Sequence, residues 1–174
     1  MQNTKNPLIF VVIDNAIYNN LIVEFLKSAK YKNIKPFYSG TECVSYKKQV
    51  PDIVITGYTM EGLNGLDIMK QIKAEHSFVE FFFLSAQKDI ATAVEIVKEG
   101  AFDYIVKDEK ALRKLYSSMN RAIKAASFVK IRRGYKIGVI GFFIVLIIII
   151  LTILSLTIFF PDDFSFQLGM IQLF

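Results

Sequence analysis

The chain has 174 residues, enough for one domain and an appendage, and 53% of them are hydrophobic, above the globular share of about 45–50%. Net charge is +5, but residues 1–136 hold all 21 Lys and Arg and 14 of the 16 Asp and Glu, a local charge of +7. The single cysteine, Cys43, excludes an internal disulfide, and no Cys/His spacing suggests a metal site.

The first residues, MQNTKNPLIFVVID, show neither a long apolar core nor a small-residue cleavage site, so no signal peptide is expected. Leu8–Asp14 is an apolar, β-branched run and reads as a buried central strand. Residues 16–30 place Ile17, Leu21, Ile22, Phe25 and Leu26 at helical spacing. A short second strand follows at Pro36–Tyr38. Ser39 and Glu42 then resemble a capping box opening a helix to about Lys48. A third strand is predicted at Ile53–Gly57, a third helix at Leu66–Ala74 and a fourth strand at Val79–Ser85. Ile90–Glu99 is a fourth helix closed by Gly100, and Asp103–Lys107 a fifth strand. Asp108 suits the N-cap of a last helix, whose apolar stripe is Leu112, Leu115, Met119 and Ile123.

Ile137–Phe160 carries no charged residue. At about 1.5 Å per residue the run would be roughly 36 Å long, more than a hydrocarbon core of about 30 Å, so a transmembrane helix is expected. Lys130, Arg132, Arg133 and Lys136 precede it and Asp162 and Asp163 follow it, which would keep the N-terminal part in the cytoplasm with its basic residues at the lipid headgroups. That placement makes a nucleic-acid explanation of the positive charge unnecessary. The remaining tail, residues 161–174, is short and apolar. Four segments are thus expected: 1–125 as a cytoplasmic domain, 126–136 as a basic helical linker, 137–160 as the span and 161–174 as an extracytoplasmic tail.

Alternating strands and helices imply an α/β fold, a doubly wound five-stranded parallel sheet, with the one C-terminal transmembrane helix added. Reactive groups in such sheets collect at the carboxyl ends of the strands. Those ends hold Asp14 and Asn15, Gly57, Ser85 and Lys107.

PDIVITGYTMEGLNGLDIMKQIK, FFFLSAQ and GAFDYIVK resemble three segments of the receiver domain of bacterial two-component response regulators, over roughly Leu8–Lys124. The resemblance implies strand order 2-1-3-4-5. It implies a pocket in which an acidic pair holds Mg²⁺, an aspartate accepts a phosphoryl group, a hydroxyl and an aromatic respond, and a lysine binds the phosphate. Ser85 matches the hydroxyl, Tyr104 the aromatic and Lys107 the lysine. The acidic pair is Asp14 and Asn15, one carboxylate short, and the acceptor falls on Gly57, which has no side chain. Phosphoryl transfer needs a nucleophilic oxygen and a metal to neutralise charge. With Asp14 alone any metal would be weakly held, so no Mg²⁺ and no other cofactor is expected, and no catalytic residue is assigned. Of the neighbouring hydroxyl and acidic groups, Asp52 lies about 17 Å along the strand, Thr56 points to the opposite face and Tyr58 is past the strand end. Lys107 is expected to pair with Asp14 across the vacated pocket. Asp108 stands where the family has proline.

These residues predict a degenerate, membrane-anchored pseudo-receiver and not an enzyme, acting without phosphorylation as a protein-interaction module at the bacterial inner membrane. Partners would be proteins at that membrane, including a second copy through the last helix and the span. The alternatives are a structural subunit of a membrane complex, or a receiver still responding to phosphate or a small anion through Lys107. No DNA-binding output domain is expected.

Overall fold

The computed structural model describes residues 5–86 and 89–159, with side chains of 128–140 and 156–159 outside the description. Five strands alternate with five helices: β1 (Ile9–Val12), α1 (Ala16–Ser28), β2 (Ile34–Phe37), α2 (Gly40–Ser45), β3 (Ile53–Gly57), α3 (Gly65–Glu75), β4 (Glu80–Ser85), α4 (Ile90–Lys98), β5 (Asp103–Val106) and α5 (Ala111–Phe159). The strands form one parallel sheet in the order β2-β1-β3-β4-β5, as expected.

Every residue of β1 and β3 is buried, because helices cover both faces of the sheet. Alternation divides the core in two. Ile9, Val11, Ile53, Ile55, Phe82 and Leu84 pack with α1 and α5, while Phe10, Val12, Val54, Phe81 and Phe83 pack with α2, α3 and α4. A one-residue slip of register would exchange those two sets, so the pattern itself holds the strands in place.

Short polar side chains start the helices. Asn15 Oδ1 accepts from Tyr18 N at 2.9 Å, Asn64 Oδ1 from Asp67 N at 2.9 Å, and Asp89 from the amides of Ala91 and Thr92. Ser39 Oγ accepts from Glu42 N at 3.2 Å, and Glu42 reaches back to Tyr38 N at 3.1 Å, one residue beyond the expected box. Helix α2 ends at Ser45, earlier than its pattern suggests. Asp108 organises the turn before α5 through Lys110 N and Lys114 Nζ.

The chain divides into two compact units, Met1–Ser127 and Phe128–Phe174. In the second unit the large apolar side chains described between residues 142 and 154 are about half exposed, from 39% at Leu146 to 64% at Phe142. The expected transmembrane helix at Ile137–Phe160 is corrected here: among the described residues no helix is long and apolar enough to cross a membrane. The single-pass inner-membrane location, membrane-bound partners and pairing through the span fall with it. The side chains of Lys130, Arg132, Arg133 and Lys136, and the tail at 161–174, lie outside the described residues.

Candidate functional site

Asp14, Gly57, Ser85 and Lys107 lie at the carboxyl ends of β1, β3, β4 and β5, neighbouring strands of one sheet. Asp14 and Asn15 leave the end of β1 exposed, while Gly57 and Ser85 are the buried last residues of β3 and β4. Gly57 pairs with Leu84, and Ser85 with Val106. Lys107 N donates to Ser85 O at 2.8 Å, which extends the ladder by one bond and fixes where the lysine leaves the sheet.

One side-chain oxygen of each of the two residues at the end of β1 is already engaged. Asp14 Oδ1 accepts from Asn15 N at 2.8 Å, and Asn15 Oδ1 caps α1. No group of three or more metal-ligating side chains occurs among the described residues. A divalent ion would find one carboxylate here, with its neighbour's amide oxygen spent on a helix cap and no side-chain oxygen from residue 57. That donor set does not fit Mg²⁺.

Gly57 is not in the left-handed region, so its backbone would admit a side chain. Space would not. A Cβ there would stand 3.2 Å from Met60 Cγ and 3.6 Å from Met60 Sδ, and Met60 is buried. Gly65 approaches from the other side, where a Cβ would fall 2.1 Å from Gly57 O. The first turn of α3 therefore presses on the end of β3, and Met60 fills the room beside it. Met60, three residues beyond Gly57, was not foreseen as a pocket residue; only that short spacing hinted at it.

Lys107 does not pair with Asp14 as expected. Among the described residues no carboxylate lies within ion-pair distance of its amine. Its Nζ stands 4.5 Å from the ring centroid of Tyr18, in the first turn of α1. Burial lowers the lysine's pKa, and the Asp14 charge partly offsets that. Burial, then the Asp108 charge, raises the Tyr18 phenol, so the ring stays neutral. Tyr18 was also missed: its only signal is its position one turn after the Asn15 cap.

The other residues weighed beside Gly57 are placed elsewhere. Asp52 is buried at the opposite end of β3 and accepts from Leu8 N at 3.1 Å. Thr56 is buried with its hydroxyl donating to Gly57 O at 3.1 Å. Tyr58 is half-buried against the α2–α4 core. Tyr104 is half-buried on β5 and lines a cavity of about 700 Å³ between α4, β5 and α5, with Ile90, Val94 and Val97 on its rim. No cis peptide occurs among the described residues, so the Lys107–Asp108 bond is trans.

The sequence profile of the response regulator receiver domain matches residues 9–119. The chain belongs to the response-regulator receiver family. Receivers are signalling modules and not catalytic enzymes. The receiver is 34% identical over 86 residues to the regulatory protein LuxO of Vibrio vulnificus, covering 49% of this chain and 19% of that protein. It is 33% identical over 72 residues to the DNA-binding transcriptional regulator NtrC of Escherichia coli, covering 41% and 15%. The chain thus spans less than a fifth of the length of those relatives. A response regulator receiver protein from Pseudomonas putida superposes with a TM-score of 0.59 at 27% identity, over 67% of this chain and 97% of that one. The signal receiver domain of a LuxO repressor protein from Vibrio parahaemolyticus gives 0.65 at 18% identity, over 72% and 96%, a likeness of fold alone. These matches give no support to classing the receiver as a degenerate member, and that label is withdrawn. The chemistry of the pocket rests on its own residues.

Proposed function

We propose that this receiver is a signalling module that works through protein contacts, and that no acyl phosphate forms at the end of β3. The observation that carries the reading is Gly57. It occupies the acceptor position of the pocket, and glycine offers no oxygen to attack phosphorus. Asp14, Asn15, Ser85, Lys107 and Tyr104 keep the outline of the pocket without that nucleophile. A second observation supports protein contacts: Ile90 is 79% exposed and Val94 and Val97 are about half exposed beside the α4–β5–α5 cavity. Family resemblance assigns partner contacts to the same surface.

Intact-mass measurement after incubation with acetyl phosphate and MgCl₂ tests the pocket. No phosphoryl adduct is expected. A hydroxylamine-labile adduct mapped to the pocket would end the reading. A receiver that instead answers a free anion through Lys107 is the second reading, favoured by a half-buried amine that makes no ion pair among the described residues. A saturable, Lys107-dependent shift of the receiver's amide resonances with orthophosphate would select it.

A further inference from the structure

The amine of Lys107 is held by an aromatic face and not by a carboxylate. The reason lies in three substitutions of chemistry that meet at one place. Residue 57 has no side chain, so the nearest candidate counter-charge is missing. Asp14 has turned one oxygen to the backbone of Asn15. Asn15 is committed to capping α1, and the amide it caps is that of Tyr18. The residue standing where a second acid is expected therefore sets the first turn of α1, and that turn carries the ring against which Lys107 rests, with Nζ 4.5 Å from the centroid. A half-buried ammonium with no ion pair gains most from such a face, because water no longer competes fully for it.

We propose that Tyr18 is a latch on Lys107: the cation–π contact ties the turn after β5 to the first turn of α1 and competes with any anion for the lysine. The inference rests on the reading of the pocket as one without an acceptor carboxylate, and it adds how that pocket is kept closed. Tyr18 is a positioning residue here, acting on ligand access through Lys107. Release of the latch leaves the amine free to turn towards the strand ends that carry Asp14, Gly57 and Ser85.

The test uses the full chain and reads the ε-methylene resonances of Lys107, assigned by their loss in Lys107→Arg. A proton near an aromatic face moves upfield, so these resonances should lie upfield of the other lysines in the wild type and in Tyr18→Phe. In Tyr18→Leu they should return to the bulk lysine position. Orthophosphate affinity should rise about two- to fivefold in Tyr18→Leu and stay unchanged in Tyr18→Phe, the range a contact of this kind implies. Bulk-position resonances in the wild type overturn the latch, whether or not the variants fold. Phosphate binding that is unchanged or undetectable in Tyr18→Leu overturns the competition. An acetyl-phosphate adduct in the pocket would sink the reading of the pocket while leaving the ring shift intact, so the two failures are distinguishable.

Discussion

Adding a single methyl group at residue 57 separates backbone freedom from space. Gly57→Ala places a Cβ 3.2 Å from Met60 Cγ and 3.5 Å from Thr59 O, closer than ordinary van der Waals contact for the first. Two effects oppose each other. Removing a glycine at a compatible backbone position stabilises by about 0.4–1 kcal/mol through the unfolded chain. Overpacking a tight site costs about 1–3 kcal/mol, towards the low end where the neighbour is an unbranched methionine that can shift. The net expectation is a loss of about 1 kcal/mol. Met60→Ala removes the obstructing atoms, at its own cavity cost of about 2–5 kcal/mol. In that background Gly57→Ala should become neutral or slightly stabilising, a coupling of about 1–2 kcal/mol between the two sites. Urea unfolding of the four proteins of the cycle, followed by tyrosine fluorescence and circular dichroism, measures this directly. Equal effects of Gly57→Ala in both backgrounds, or a stabilised wild-type background, would refute the account of Met60 as the group that fills the acceptor's space.

Gly57→Asp carries the same steric cost and supplies an oxygen, yet Asn15 still spends its amide oxygen on the α1 cap; phosphoryl transfer from acetyl phosphate should stay far below that of a receiver with both acids, as read by intact mass. Gly65→Ala should cost about 3 kcal/mol or more in urea unfolding, because its Cβ meets the backbone oxygen of Gly57 and the Phe83 ring, neither of which can move aside. Asn19 is fully buried and donates to Val11 O, Ile13 O and Phe37 O, so Asn19→Leu removes a buried amide that bridges the ends of β1 and β2 and should cost about 2–4 kcal/mol by the same assay. Burial pushes the Cys43 thiol from 9.0 up to about 12. The unfolded thiol ionises first, so stability is intact below pH 9 and declines as pH rises from there towards 12. By pH 10 the loss attributable to Cys43 should be about 1.4 kcal/mol, measured as the difference in pH dependence between the wild type and Cys43→Ala.

Strand and helix order were legible because the pattern of buried residues is local. Leu8–Asp14 and Val79–Ser85 are apolar runs of strand length, and the wild-type register needs only the two-residue alternation they carry. Caps at Asn64 and Asp89 are likewise side chains speaking to amides two or three residues away. Sheet order came from family resemblance and not from periodicity. The transmembrane helix expected at 137–160 is not found: among the described residues no helix is long and apolar enough to cross a membrane.

The amino-acid sequence by itself determined the alternation of strands and helices, the placing of Asp14, Gly57, Ser85 and Lys107 at strand ends, and the lack of a side-chain oxygen at residue 57. Tertiary structure decided what fills that position and what holds the lysine. Met60 and Tyr18 come to the pocket from the segment after β3 and from the first turn of α1, and a contact between a ring and an amine 89 positions apart has no local signature. Only the closing of the sheet brings α1 beside the turn after β5, and there Lys107 rests against the Tyr18 ring without an ion pair to Asp14.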